Sequence, residues 1–206
     1  MKSLKFLAVV VFISFLYNLP ASAQDTSLSF FVTSNGPGNG GDLGGLAGAD
    51  AHCQALAEAV GAGNREWRAY LSTQGRNAVN ARDRIGSGPW YNANGRIVGR
   101  DVNELHSYYT RMSMREAVAE NGAIIPGGGY APNRHDILTG STPEGTAFPA
   151  GEDMTCNNWT SSDEGKAKIG HHDRAAWNSA HDTRGCSQEA LISTGGDGLF
   201  YCFAAD

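Results

Sequence analysis

Aromatic residues stand beside amide side chains at several points of the chain. Trp90 and Tyr91 form one such pair, and Trp177 with Asn178 forms another. Aromatic rings combined with amides make a surface suited to sugars or peptides. The predicted ligand contacts are Trp90, Tyr91, Asn157, Asn158, Asp163, Trp177 and Asn178. The alternative for the aromatic rings is packing beneath long loops, and for the residues near Cys156 a turn beside a disulfide.

A second group of residues could ligate a metal. His171, His172 and Asp173 are consecutive, and His181 and Asp182 follow shortly after. We expect these to be solvent-exposed loop histidines, and the sequence therefore predicts no metal site. No motif of a serine hydrolase or a zinc protease is present. We therefore predict a non-enzymatic protein without a cofactor.

The first residues are typical of a secretory signal peptide. Lys2 and Lys5 precede an apolar run over residues 6–16, and small residues follow at Ala21 and Ala23. The run is shorter than the roughly 20 apolar residues of a membrane span. We expect cleavage after Ala23, which leaves a single domain over 24–206 that is secreted or periplasmic and has no membrane span.

Charge excludes some partners. Removal of the two lysines changes the formal charge from −5 to −7. An acidic chain is repelled by nucleic acids and anionic membranes. We expect no binding to nucleic acid or to heparin. The predicted partner is a glycan or an extracellular protein.

The pattern of apolar residues predicts an α+β domain. A strand is expected over 28–32, a helix from Leu46 to about Val60, and a strand over 67–73. A second helix is expected over 111–122. Short strands are expected in the segments 135–141, 190–194 and 198–204, and about half of the chain is predicted to be loop.

Several of these segments together resemble a known fold. The stretch "GADAHCQALAEAVGAGNREWRAYLST" is similar to the opening of endostatin-like domains, in which a helix carrying a cysteine leads into a strand. The segments "HDILTGSTPEGT", "CNNWTS" and "GCSQEALISTGGDGLFYCFA" resemble later parts of the same domains. The wider group is the C-type-lectin-like fold, and exported bacterial lectin-like proteins are similar in their opening. The resemblance implies two helices packed on a small, mostly antiparallel sheet, with long loops and two disulfides.

Calcium-dependent lectins of this group bind sugar through Glu-Pro-Asn or Gln-Pro-Asp together with Trp-Asn-Asp. Here the corresponding positions read Ala131-Pro132-Asn133 and Trp159-Thr160. Calcium requires six to eight oxygen ligands, and the first motif lacks its acidic or amide residue. We therefore expect binding that does not depend on the usual calcium site, although Asn157, Asn158 and Asp163 could assist a divergent one.

Four cysteines in an exported chain predict two disulfides, for which three pairings exist. The pairing Cys53–Cys202 with Cys156–Cys186 agrees with the cysteine order that the resemblance implies. It also explains why Cys53 lies on the apolar face of its helix. The predicted function is an exported binding module for a glycan or protein. The alternatives are a hydrolase acting on a glycan or wall polymer, and a structural surface protein.

Overall fold

The computed structural model describes residues 27–206. The predicted signal peptide and its cleavage site lie outside these residues. Within the described part, no helix is long and apolar enough to cross a membrane.

The described chain is a mixed α+β structure. Its strands are β1 (Phe30–Val32), β2 (Trp67–Ala69), β3 (Trp90–Tyr91), β4 (Ile97–Gly99), β5 (Asp136–Leu138), β6 (Lys168–His171), β7 (His181–Asp182) and β8 (Gly196–Ala204). Its helices are α1 (Gly45–Ala59), α2 (Val102–Leu105), α3 (Cys156–Trp159) and α4 (Gln188–Ile192), with a 3₁₀ turn at Ala81–Asp83.

The main sheet is built around the long last strand. Its order is β1-β8-β5-β6-β7, and β2 also pairs with β8. The β5–β8 pair is parallel and the other pairs are antiparallel. Strands β3 and β4 form a separate two-stranded sheet. Alternate residues of β8 face two separate apolar clusters, since Phe200 and Cys202 join one and Tyr201 and Phe203 the other.

The glycine-rich segment before α1 allows close backbone packing. A Cβ atom at Gly40 would lie 2.1 Å from the carbonyl oxygen of Cys186, and one at Gly41 would lie 2.7 Å from Cys156 Sγ. Larger residues would therefore displace the segment from the disulfide beneath it. This close approach explains why glycines precede the helix.

The nested disulfide pairing is confirmed. Cys53 lies on the buried face of α1 and is bonded to Cys202 of β8, with a Cα–Cα distance of 5.6 Å. Cys156 is bonded to Cys186, 30 residues further along the chain. The first bridge joins the long helix to the last strand, and the second closes a loop-rich ring.

Two elements differ from the sequence-based expectation. The helix predicted over 111–122 is absent, because the Val118 carbonyl accepts the Val32 N–H and Asn92 bonds the carbonyl of Glu116. The strand predicted over 190–194 is instead part of α4 and the turn after it, because the Ser187 side chain caps that helix at the Ala190 N–H. The described residues therefore form one long helix and three short ones, and not the two expected.

Candidate metal centre

The predicted aromatic contacts are buried in the core. Trp90 donates its indole N–H to the Ala204 carbonyl at 3.2 Å, and Trp177 donates to the Leu105 carbonyl at 3.1 Å. Tyr91 is also buried. These three rings therefore pack in the core, and their role as ligand contacts stays a prediction. Asn178 is buried as well, and its amide bonds the Tyr70 hydroxyl at 3.0 Å.

The other predicted contacts lie on the opposite side of the main sheet. Asn157 and Asn158 belong to a left-handed turn that begins at Cys156. The Asn158 carboxamide accepts the Gln74 N–H at 2.7 Å, so it is used to hold the turn. Asp163 is exposed near the Cys156–Cys186 bridge, where its carbonyl accepts the Cys186 N–H. The structure does not bring these residues together with Trp90 or Trp177.

The structure instead gathers histidines around Asp136, because three adjacent strands align them. Asp136 at the start of β5 is directly opposite His171 at the end of β6. His181 of β7 is opposite Ile169, two residues before His171. Side chains two apart on a strand, and directly opposite across a ladder, share one face of the sheet. The pairing register therefore places Asp136, His171 and His181 on the same face.

The imidazole nitrogens converge on one carboxylate oxygen. The Nε2 atoms of His135, His171 and His181 lie 3.1, 3.2 and 3.6 Å from Asp136 Oδ1. The rings of His135 and His171 are stacked, with centroids 4.2 Å apart and an interplanar angle of 10°. The Asp136 side chain is 2% exposed, whereas His181 is 42% exposed and forms the solvent side of the cluster.

Among residues 27–206, buried side-chain polar atoms without hydrogen bonds occur only in this region. In the described chain, all eight such side-chain atoms belong to the segments 134–136 and 171–173. Both carboxylate oxygens of Asp136 and the Nε2 atom of His171 are among them. Although these groups are in contact, they are not aligned for hydrogen bonding to one another. Buried polar groups are nearly always paired, so unpaired ones require an explanation.

A metal ion explains both the distances and the poor alignment. Ligand atoms placed about 2.0–2.1 Å from a tetrahedral zinc ion are about 3.3 Å from each other. Such ligands direct their lone pairs at the ion and not at their neighbours. His135, Asp136 and His171 each offer a ligand atom, and these atoms lie within 4.8 Å of one another. His181 is not part of this group of three, although its Nε2 atom lies 3.6 Å from Asp136 Oδ1.

Burial favours the neutral form of His171 and of the adjacent His172. Burial and the neighbouring His135 ring lower the pKa of His171. Burial lowers the pKa of His172, which is fully enclosed, to about 4. Burial raises the pKa of Asp173, but the Gly128 N–H and the nearby His135 outweigh this effect, so its pKa is below the usual value. Neutral imidazole is the form that binds metals.

The expectation of exposed loop histidines is thus wrong for this cluster. His171 ends a strand and is only partly exposed, and His172 is buried. His135 and Asp136 were not identified as candidates from the sequence. The sequence indicated these two residues only as a His-Asp pair at the start of a predicted strand. The neighbouring residues in the sequence do not determine which strands pair to complete the site.

A comparison with known protein families finds no matching family model, and a comparison with curated proteins finds no significant match.

Proposed function

We propose that this protein is an exported metal-binding domain that holds a zinc-like divalent ion at His135, Asp136 and His171, with His181 as a fourth ligand. The observation that carries the proposal is the set of buried, unpaired ligand atoms converging within contact distance. Leaving a buried polar group unpaired costs about 1–3 kcal/mol. A cation bound by these atoms would remove that cost.

The donor set indicates the class of metal. Imidazole nitrogens suit zinc, copper, nickel and iron, whereas calcium and magnesium prefer oxygen ligands. The donor set consists of one carboxylate oxygen of Asp136 and up to three histidine Nε2 atoms close to it. We therefore expect Zn²⁺ or Co²⁺ to bind and Ca²⁺ not to compete.

The setting of the site supports export and a C-type-lectin-like domain as parts of the same proposal. Two disulfides with no free cysteine in the described chain suit an oxidising compartment. A long helix bonded by a disulfide to the last strand is the arrangement that the resemblance implied. The Asn158 carboxamide, one of the groups that could assist a divergent calcium site, already accepts the Gln74 N–H, which supports a function independent of the usual calcium site.

Metal titration of the chelator-treated protein tests the proposal. We expect one Zn²⁺ per chain by calorimetry, and Co²⁺ should give the visible absorption of a tetrahedral site. His171→Ala should weaken zinc binding at least about 100-fold, whereas His52→Ala should not change it, because His52 lies on α1 and bonds the Asn35 carbonyl. Equal affinity in the two variants would contradict the assignment. Ester hydrolysis by the zinc-loaded protein would favour the hydrolase alternative.

A cleft that shares no lining residue with the proposed metal ligands supports glycan binding as a second function. It has a volume of about 380 Å³, and its lining includes Tyr108, Trp177 and Asn178. None of the lining residues is acidic, lysine or arginine. Tyr108 is 96% exposed and offers an aromatic face at the rim. An uncharged cleft with such a ring suits a neutral saccharide.

Glycan-array binding of the wild-type protein, with and without calcium, tests this second function. Binding should survive calcium removal and be lost in Tyr108→Ala. Tyr130→Ala is the matched control, because Tyr130 is also exposed but does not line the cleft. Equal binding by both variants would place any glycan site elsewhere.

A further inference from the structure

His135 has a carboxylate on each side of its ring. Its Nε2 atom lies 3.1 Å from Asp136 Oδ1, and its Nδ1 atom lies 3.4 Å from Asp173 Oδ1. The Nδ1 atom and Asp173 Oδ1 are both buried, and neither has a hydrogen-bond partner in the described chain. A small rotation of the ring would join them in a hydrogen bond.

The Asp173 carboxylate is held by a glycine-rich loop. Its Oδ2 atom accepts the Gly128 N–H at 2.8 Å. A Cβ atom at Gly127 would lie 2.7 Å from the same oxygen, so a larger residue there would displace the loop or the carboxylate. The His172 N–H donates to the His135 carbonyl at 3.2 Å and ties the two segments together. Asp173 is therefore fixed relative to the His135 ring.

We propose that Asp173 is a positioning residue that keeps neutral His135 in the Nδ1–H tautomer and so directs its Nε2 lone pair to the metal. The inference rests on the proposed metal site. A carboxylate only accepts hydrogen bonds, so a ring nitrogen that bonds one must carry the proton. Nε2 also faces a carboxylate, that of Asp136 at 3.1 Å, and the proposal requires the Asp173 side to hold the single proton of the ring. The opposite nitrogen is then free to coordinate. Carboxylates beside metal-bound histidines commonly act in this way, and their loss costs about 10–100-fold in metal affinity.

The substitution Asp173→Asn separates this role from a purely structural one. An asparagine can keep its oxygen on the Gly128 N–H and turn its NH₂ group toward His135. The ring would then accept at Nδ1 and carry its proton on Nε2, which blocks coordination. The shape of the site changes little, but the preferred tautomer is reversed.

Long-range ¹H–¹⁵N spectra of the metal-free protein report the tautomer directly, at a pH where His135 is neutral. The wild-type protein should show His135 as Nδ1–H, and Asp173→Asn should shift it to Nε2–H with a 10–100-fold loss of Zn²⁺ affinity. Asp163→Asn is the control, because it removes the same charge from an exposed position. A wild-type Nε2–H tautomer, or a tautomer unchanged by Asp173→Asn, would overturn the proposal.

Two further outcomes separate this proposal from the metal site itself. The tautomer of the wild-type protein needs no variant and no metal, so it is informative even if Asp173→Asn does not fold. If Asp173→Asn changes the His135 tautomer but the wild-type protein binds no Zn²⁺, the proposed metal site is wrong. Asp173 would then control the tautomer of His135 without a role in metal binding. If the tautomer reverses while Zn²⁺ affinity is unchanged, the role of Asp173 in metal binding is refuted.

Discussion

Two aspartates of this domain, Asp50 and Asp136, have opposite surroundings. Asp50 on α1 accepts hydrogen bonds from Arg84 at 2.5 Å, from Arg68 at 2.8 Å and from the Ala69 N–H at 2.9 Å. Asp136 on β5 is more deeply buried, is surrounded by imidazoles and makes no side-chain hydrogen bond. Two arginines neutralise the Asp50 carboxylate. The Asp136 carboxylate faces histidine nitrogens and pairs with no lysine or arginine of the described chain.

Each aspartate also lies in a region with its own disulfide. Asp50 is one helical turn before Cys53, whose bridge joins α1 to β8. Two of the histidines around Asp136 lie inside the ring closed by Cys156 and Cys186. We infer that the Asp50 region stabilises the fold. In the Asp136 region, we infer that the ligand atoms are left without hydrogen bonds so that they can bind the proposed metal. The following predictions are ordered from the largest expected effect to the smallest.

Removing the Cys53–Cys202 bridge should cost the most stability. The two bridges span sequence separations of 149 and 30 residues. The chain-entropy model gives about 5 kcal/mol for the larger ring and about 4 kcal/mol for the smaller. Denaturant unfolding of the paired variants Cys53→Ala/Cys202→Ala and Cys156→Ala/Cys186→Ala should show that order, and the reverse order would contradict it. We likewise expect the single change Cys53→Ala to cost more than Cys186→Ala.

Asp50→Asn should destabilise the protein by about 3 kcal/mol, because it leaves the Arg84 guanidinium, whose side chain is 11% exposed, without its charged partner. Zinc affinity should be unchanged, since Asp50 contacts none of the histidines around Asp136. Urea unfolding and zinc calorimetry measure the two effects. A loss of zinc affinity would show that the two regions are not independent.

Asp136→Asn should give the opposite result. In the presence of a chelator, we expect a stability change of less than about 1 kcal/mol, because the wild-type carboxylate is buried without hydrogen bonds and a neutral amide is less costly to bury. The increase in melting temperature produced by zinc should disappear. A large destabilisation of the metal-free variant would mean that Asp136 is a structural partner, as Asp50 is.

Outside both regions, His106 should contribute a small pH dependence. Burial lowers its pKa below the usual value near 6.5. Between that value and its folded pKa, the unfolded chain binds a proton that the native protein does not. Stability should therefore fall as the pH decreases through this window. In a chelator, the fall in melting temperature from pH 7 to pH 5 should be shallower for His106→Gln than for wild type, and equal slopes would refute this.

The sequence predicted features whose signal is local. The apolar spacing that placed Cys53 on the buried face of α1 was correct, and so was the strand at the C-terminal end. The helix expected over 111–122 failed because that segment instead bonds β1, a contact that local propensity does not contain. Trp90 and Trp177 looked like loop residues because their neighbours are polar, although both rings are in the core.

The proposed metal centre could not be predicted in the same way. His135 and His181 are far apart in sequence, and the pairing of β5, β6 and β7 brings them together. A shift of one residue in that register would turn Asp136 or His171 to the other face. Nothing near either residue in the sequence determines the register. The histidines were visible in the sequence, but their convergence was not.

Anomalous X-ray diffraction at the zinc absorption edge, on crystals of the zinc-loaded protein, tests the central claim most directly. We expect one strong peak per chain, about 2.0–2.1 Å from the Nε2 atoms of His135 and His171 and from a carboxylate oxygen of Asp136. His181 should supply the fourth ligand. No peak among these residues at saturating zinc, or a peak only elsewhere on the molecule, would contradict the proposed metal centre.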